Sequence, residues 1–368
     1  MAKIQFITTM AGHPWGGSEE LWVKMAHDDL KKGNKVHCSI FNWRGVIPQK
    51  IEQLGHAGAK IHKRNRFQYP ELLKKPWGKF VEKTIAFRQL KKHTKQAQPD
   101  KIIISMGGFC DLEVNPYRQY LLQLDKPFEL IIHANPENYY LQYSNIEEII
   151  KVCNKARKVW FVSNRLMEIS IRQTGYSFPN GDITRNPVNM TETGILPWPE
   201  HQTMQMACVG RLQSSVKGHP LLFQVLSQLQ WKDRAWHLNI YGSGPDESFY
   251  KHLVKSFHIE DKVTFQGFTN DVRKDIWAKN HILVMPSYYE GMPIALVEAM
   301  LCGRTSVVTN VGGNAEVLKD NDTGFIAEGV HLSSFSNAME RAWERKEEWK
   351  EMGEKCFTEA SKYISKEV

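Results

Sequence analysis

The stretch with the most chemical potential is HILVMPSYYEGMPIALVEAM, residues 281–300. An apolar strand is predicted at Ile282–Met285, closing at Pro286-Ser287; a short loop reaches Glu290-Gly291, and a helix is predicted over Pro293–Leu301. Proline suits a first helical turn, where its missing N–H has no partner to lose. The backbone amides from Gly291 through Met292, Pro293 and Ile294 to Ala295 then point out of the helix's amino end, ready for an anionic group. Glu290 precedes that end and Glu298 lies eight residues on; with helix between them the carboxylates stand about 10–12 Å apart along the axis. That separation is too long for a hydrolase pair sharing one bond. It suits carboxylates holding the two ends of an extended, sugar-like ligand with phosphate between them. Taken alone, the stretch leaves a solvated loop residue at 290 and a surface helix residue at 298 equally open.

A second stretch, CVGRLQSSVKGHP at 208–220, ends a strand at Val209-Gly210 and sets Arg211 and Lys217 six residues apart around a polar loop. Two such cations neutralise a diphosphate, arginine as a bidentate fork and lysine as a point charge. Gly218 allows a tight turn into the next helix.

These loops need a frame, and the hydrophobic pattern supplies one. Strands are predicted at Ile4–Thr8, Val36–Phe41, Ile102–Ser105, Leu130–His133 and Val159–Ser163, alternating with helices at Ser18–Lys32, Trp77–Gln96, Asn145–Lys155 and Arg165–Thr174. In the second half strands are predicted at Met206–Val209, Leu238–Tyr241, Val263–Phe265, Ile282–Met285 and Ser306–Thr309, with helices at Pro220–Leu229, Glu247–Phe257, Val272–Ala278 and Pro293–Leu301. Short apolar runs alternating with helices imply parallel sheets covered on both faces, in an α/β fold of two doubly wound domains. The proline-rich segment Asn186–His201 is the expected linker. Residues 1–190 and 200–345 form the two domains on this reading, and 346–368 a terminal helix packing back toward the first. Ligands in such sheets bind beyond the carboxyl ends of the strands, so two facing domains make an interdomain cleft.

Composition narrows the class. The 368 residues include 40 aromatics spread along the chain, which excludes general disorder. No apolar run approaches the 18 or so residues of a membrane span. The opening MAKIQFITTMAGHPWGG lacks the pattern of a signal peptide, so a cytoplasmic protein is expected. Cys38, Cys110, Cys153, Cys208, Cys302 and Cys356 are widely spaced and read as small buried thiols, without disulfides or a structural metal. Residues 1–190 hold 29 basic against 17 acidic residues, whereas 191–368 hold 19 against 23. Residues 60–95 alone carry 12 basic residues against Glu71 and Glu82, with Phe67, Tyr69, Trp77, Phe80 and Phe87 among them. Such a segment is either an ordinary solvated helix or a contact for an anionic acceptor or the inner membrane surface. No nucleic-acid motif accompanies the charge, so no nucleic-acid partner is expected.

With these residues in place, the chain resembles the retaining GT-B glycosyltransferases of family 4. Glu290 and Glu298 match its E-x7-E motif, followed by Ala299-Met300 and Gly303; Gly210-Arg211-Leu212 to Lys217-Gly218, Gly242-Ser243-Gly244-Pro245, Gly267, and Gly312-Gly313 to Glu316 match as well. The likeness is dense over residues 200–330 and thinner before, where Gly16-Gly17-Ser18-Glu19 fits the family's glycine-glycine loop. Ser105-Met106-Gly107-Gly108 departs from it.

The resemblance implies a GT-B fold of two Rossmann-like domains and transfer of a sugar, from a UDP-sugar above other nucleotide sugars, to a glycan or lipid-linked hydroxyl in polysaccharide or lipopolysaccharide synthesis. It implies retention of anomeric configuration, and neither metal nor cofactor. Arg211 and Lys217 would bind the diphosphate, Glu290 the transferred sugar and Glu298 the ribose. Amides of residues 291–295 would hold the donor, Gly16 and Gly17 would let the backbone near the phosphates, and His133 would lie by the reacting carbon. His133 at a strand end is equally a structural histidine, and His13 and Trp15 are candidates for lining the acceptor site. A dehydrogenase is disfavoured because GHPWGG and YGSGPDE miss the G-x-G-x-x-G spacing. A nucleotide-sugar-binding protein without turnover is the remaining alternative.

Overall fold

The computed structural model describes all residues except 11–13, 44, 66–75, 189, 191 and 365–368; of residues 76–86 and 364 it describes the backbone alone. The chain divides into two compact units, Met1–Pro187 and Val188–Val368. The first contains β1 (Lys3–Thr8), β2 (Lys35–Asn42), β3 (Lys60–Asn65), β4 (Lys101–Met106), β5 (Phe128–Ile132), β6 (Lys158–Phe161) and β7 (Gly181–Ile183). The second contains β8 (Met204–Val209), β9 (Trp236–Tyr241), β10 (Val263–Gly267), β11 (Ile282–Met285), β12 (Thr305–Thr309) and β13 (Phe325–Ala327). Among the described residues the sheets run β3-β2-β1-β4-β5-β6-β7 and β10-β9-β8-β11-β12-β13. Every pairing is parallel.

The central strands are mostly apolar runs buried on both faces, FELII in β5 with Glu129 its one charged residue and ILVM in β11, which is the signature of a sheet covered by helices on either side. The doubly wound expectation therefore holds for both units. In each sheet the strand order turns back at one place, between β1 and β4 in the first and between β8 and β11 in the second. Loops leaving those strands flank the crevice where this architecture takes its ligands.

Three strands escape the sequence reading. β3 and β7 are sheet edges of sequence KIHKRN and GDI, too polar to show an apolar run, and β13 is fully buried but only three residues long. The helix predicted at Val272–Ala278 is a single π turn, Arg273–Trp277. The predicted linker is also only partly one. The unit boundary falls within it, after Pro187, yet its later residues are bound into the second unit. Gly194 and Leu196 donate to the carbonyls of Leu301 and Cys302, and buried Arg304 donates to those of Leu196 and Pro197. The final helix, Trp349–Ile364, packs against Ile294–Leu301, and the carbonyl of Gly303 comes so near Gly353 that an added Cβ would lie 2.1 Å from it.

All six cysteines are free thiols; five are buried, but Cys110 is exposed and corrects the expectation of a uniformly buried set. No helix among the described residues is long and apolar enough to cross a membrane. The basic helix forms as Pro76–Ala97, with Leu90 fully buried and Lys91, Lys92 and Lys95 exposed. Phe67 and Tyr69 lie outside the described residues, as do the side chains of Trp77 and Phe80. Arg64 does not belong to any basic surface. It is wholly buried, donating from Nη1 to the Tyr117 hydroxyl (2.7 Å) and from Nη2 to the carbonyls of Thr8 and Ser39.

Candidate active site

In the second unit the loop after β8 runs from Gly210 through one helical turn, Ser214–Lys217, to Gly218, where the helix His219–Leu226 begins. Asp246 caps that turn, its Oδ2 accepting from the amide and the hydroxyl of Ser214, both at 2.6 Å. These bonds hold the Asp246 carboxyl below its ordinary range. Leu212 is buried in the same loop, with its amide on the Ser243 carbonyl and its own carbonyl taking the Asp246 amide. A Cβ at Gly244 would lie 2.3 Å from the Leu212 carbonyl oxygen, so the Gly242-Ser243-Gly244 turn exists to let that loop approach.

Across the reversal point, β11 ends at Met285 and the loop that follows carries Ser287 and Glu290. Lys217 Nζ and Ser287 Oγ both donate to Glu290 Oε1, each at 2.6 Å. The pair is largely shielded, with side-chain exposures of 21% for Lys217 and 9% for Glu290. Glu290 Oε2 makes no hydrogen bond among the described residues. Three braces fix this geometry. The Tyr288 amide donates to the Val216 carbonyl (2.8 Å), the Thr309 hydroxyl to the Ser287 carbonyl (2.6 Å), and the Gly313 amide to the Gly291 carbonyl (2.9 Å). Gly312 has φ +51° and stands where a Cβ would meet the Glu290 carbonyl oxygen at 2.2 Å.

Arg211 is half-buried, and its buried Nε has no hydrogen-bond partner. Arg211 and Lys217 thus place a buried N–H donor and an ammonium in the same loop. The helix after Glu290 begins at Ile294, not Pro293, so residues 290–293 are not helical and the axial spacing drawn from the sequence does not apply. Pro293 is its cap. It offers no N–H, and its carbonyl accepts from Leu296 and Val297. Gly291, Met292, Ile294 and Ala295 are left as the amide set, with the Met292 side chain buried. Glu298 is 5% exposed, which removes the reading of a surface helix residue.

In the first unit His13 lies outside the described residues, while Gly16 caps the helix Gly17–Lys31 at φ −165°. That is extended backbone open to any residue, so conformation alone does not demand glycine at 16. Gly108 is different: a Cβ there would lie 2.1 Å from the Ala134 carbonyl, so the loop after β4 needs glycine to pack on the loop after β5. His133 is 6% exposed and its Nε2 pairs with the Ser105 hydroxyl at 3.0 Å. Burial drives its pKa down to about 3, with the Asn186 side chain acting the other way, so it stays a neutral imidazole.

Glu19, quoted from the sequence only as part of the glycine-glycine loop, has an environment of its own. It is 2% exposed, and accepts from the Thr8 hydroxyl (2.9 Å) and the Trp22 indole (2.7 Å). Burial raises its pKa to about 7, against the lowering pull of Trp22, Thr8 and Arg64. A carboxyl raised on folding stabilises the fold fully below its unfolded pKa near 4.5, and loses that contribution as pH climbs through 7. Glu19→Gln is therefore expected to change the pH profile. Its stability relative to the parent should rise by about 3 kcal/mol between pH 4.5 and 7.5. Buried histidines such as His133 and His93 act in the opposite sense below pH 6.5 and cancel in the comparison. Denaturant unfolding at several pH values measures the difference; parallel curves for the two proteins would refute it.

Comparison with known proteins adds the class. Residues 198–357 match the family described as glycosyl transferases group 1. Over 96% of the chain and 94% of the relative, the sequence is 26% identical to an uncharacterized glycosyltransferase of Haemophilus influenzae. It is 32% identical to the N-acetyl-alpha-D-glucosaminyl L-malate synthase of Bacillus anthracis over 119 residues, 32% of this chain and 31% of that one. Among solved structures, Anabaena Alr3699/HepE in complex with UDP has the same fold at TM-score 0.72 and 16% identity, covering 98% of this chain and 95% of that chain. The two parallel sheets thus share the fold of two Rossmann-like α/β units seen in that structure, and most of the second unit is similar to glycosyl transferases group 1.

Proposed function

We propose that the protein moves a sugar from a nucleoside-diphosphate sugar, a UDP-sugar, to a hydroxyl of a glycan or lipid-linked acceptor, with retention and without a metal. The observation that carries this is the Lys217–Glu290 pair at the reversal point of the second sheet, beside Arg211 with its unpartnered Nε. The lysine ammonium has three donors, so it keeps Glu290 while taking a phosphate oxygen. Glu290 Oε2 receives a hydroxyl of the transferred sugar, Glu298 the ribose, and the amides of Gly291, Met292, Ile294 and Ala295 help hold the donor. As the glycosidic bond breaks, negative charge collects on the departing diphosphate. Arg211 and Lys217 stabilise it there, which is the largest catalytic contribution in such a site. The departing phosphate oxygen takes the proton of the acceptor hydroxyl as that oxygen bonds to the sugar carbon. In the first unit His133 acts as a neutral hydrogen-bonding group. The UDP-bound relative of the same fold supports the choice of nucleotide.

A thermal-shift and calorimetric screen with UDP, GDP, ADP, dTDP and UDP-sugars tests the reading. UDP is expected to stabilise the protein by about 2.7 kcal/mol at a hundred times its Kd, unchanged by EDTA and lost in Arg211→Ala. The anomeric configuration of the product, read by NMR, tests retention. Binding without any turnover would favour the nucleotide-sugar-binding alternative. Stabilisation that needs a divalent ion would remove the metal-independent mechanism.

A further inference from the structure

Along the last turns of the basic helix Pro76–Ala97 the outer face is cationic. Arg88, Lys91, Lys92 and Lys95 are exposed, while Leu90, His93 and Ala97 are buried on the other side. Arg88 and Lys91, and Lys92 and Lys95, stand three residues apart; Arg88 and Lys92, and Lys91 and Lys95, stand four apart. Such pairs are neighbours on a helix surface, and like charges there destabilise the helix. Lys60 joins them from β3. It is exposed on the face of that edge strand that carries His62, whose ring centre lies 4.9 Å from that of His93. Residues 58–65 and 87–99 contain no aspartate or glutamate, and none of these five cations has an ion-pair partner among the described residues. Other helices of the chain do the opposite. Lys24–Asp28, Lys151–Glu147, Lys251–Glu247, Lys279–Asp275 and Lys355–Glu351 each set a carboxylate four residues from the lysine. An anionic partner relieves the repulsion that the basic helix carries.

We propose that this face docks on an anionic lipid bilayer. The outside of a helix is convex, so its side chains diverge and cannot close on one small anion, whereas a layer of headgroups meets them all at once. All but Arg88 are lysines, compact charges on flexible stems that stay hydrated among mobile headgroups. Nucleic acid fits less well. The one Phe, Tyr or Trp of these two segments, Phe87, is half-buried with Lys91 Nζ 4.8 Å from its ring centre, so no exposed ring is there to stack a base. The Asn65 amide donates to Gln89 Oε1 at 2.7 Å, which sets the Arg88 end of the face level with the carboxyl end of β3. Ligands enter this architecture at that end of the sheet. The docking surface stands on charge and geometry alone; that it serves to meet a lipid-linked acceptor rests on the glycosyltransferase reading.

The test is sedimentation of the full chain with phosphatidylcholine vesicles, made with and without phosphatidylglycerol. Binding is expected only where phosphatidylglycerol is present, and it should weaken as salt rises. Each cation contributes roughly fivefold in affinity, so Lys91→Ala/Lys92→Ala/Lys95→Ala should bind on the order of a hundredfold more weakly. The same variant should melt no lower than the parent, because the lost side chains repel one another and alanine favours helix. Lys251→Ala/Lys279→Ala/Lys355→Ala removes the same net charge from ion-paired positions and should bind the vesicles as the parent does. Equal binding to the two kinds of vesicle, no vesicle binding by the parent, or equal losses in the two triple variants would each overturn the surface. Tighter binding to a single-stranded oligonucleotide than to the vesicles, at equal phosphate concentration, would assign the face to nucleic acid and overturn it as well. UDP binding should be unchanged in both variants. Failure of the parent to bind UDP or any UDP-sugar would instead overturn the glycosyltransferase reading and leave the lipid contact standing.

Discussion

Lys217→Ala should lower the transfer rate by about two to three orders of magnitude, the range seen when one donor is removed from a developing oxyanion. The substitution also strips the ammonium from Glu290, a carboxylate with 9% side-chain exposure that is then held by Ser287 alone. Leaving one charge of a shielded pair without its partner destabilises by several kcal/mol, so activity and stability fall together in the single variant. Adding Glu290→Gln separates the two effects. With both charges gone the second unit should regain most of its stability, whereas transfer stays low because the lysine's hydrogen bond to the phosphate is missing and Arg211 alone faces the developing charge. Turnover of UDP-sugar and denaturant midpoints for the parent, both singles and the double give the full cycle. Near-parental turnover in Lys217→Ala would remove the phosphate role, and a double variant no more stable than the single would deny that the pair is coupled.

Gly218→Ala acts on the same loop through the backbone. Gly218 has φ +62°, and an added Cβ would lie 2.0 Å from the carbonyl oxygen of Pro286. A side chain costs about 1–2 kcal/mol in the left-handed region. Relieving the overlap must also move one of two backbones that cannot yield like a flexible side chain, at about 1–3 kcal/mol more. For a unit of this size the sum corresponds to a melting temperature lower by about 5–15 °C. The displaced segments carry Lys217 and Ser287, so UDP affinity should fall as well. Gly33→Ala is a suitable control, since its φ of +78° brings the conformational cost with nothing within 4 Å of the added carbon. Equal losses in the two variants would show that the approach of Gly218 to Pro286 is unimportant.

The second unit was the more legible half. Its strands are short apolar runs whose loops carry the unusual residues, and Arg211, Lys217, Glu290 and Gly218 stand out by type and spacing. Ser287 gave no signal, because a serine three residues before a glutamate is common in any loop. Asp246 was hidden in the same way, its task being to cap a single turn 32 residues earlier. The first unit was harder to read. β3 and β7 are polar edges, and Arg64 adds to the basic count of residues 60–95 although it is buried against Thr8 and Ser39.

By itself the sequence determined the α/β alternation, the two parallel sheets and the cations and carboxylates placed just beyond strand ends. Those properties follow from hydrophobic periodicity and residue type, which are local. The tertiary structure decided which of these groups meet. It joined Lys217 to Glu290 across 73 residues and left Arg211 Nε unpartnered. It also buried Glu298 and His133. Pairing across a sheet's reversal point depends on strand order, and desolvation depends on what covers a side chain; neither is written in any single stretch of the chain.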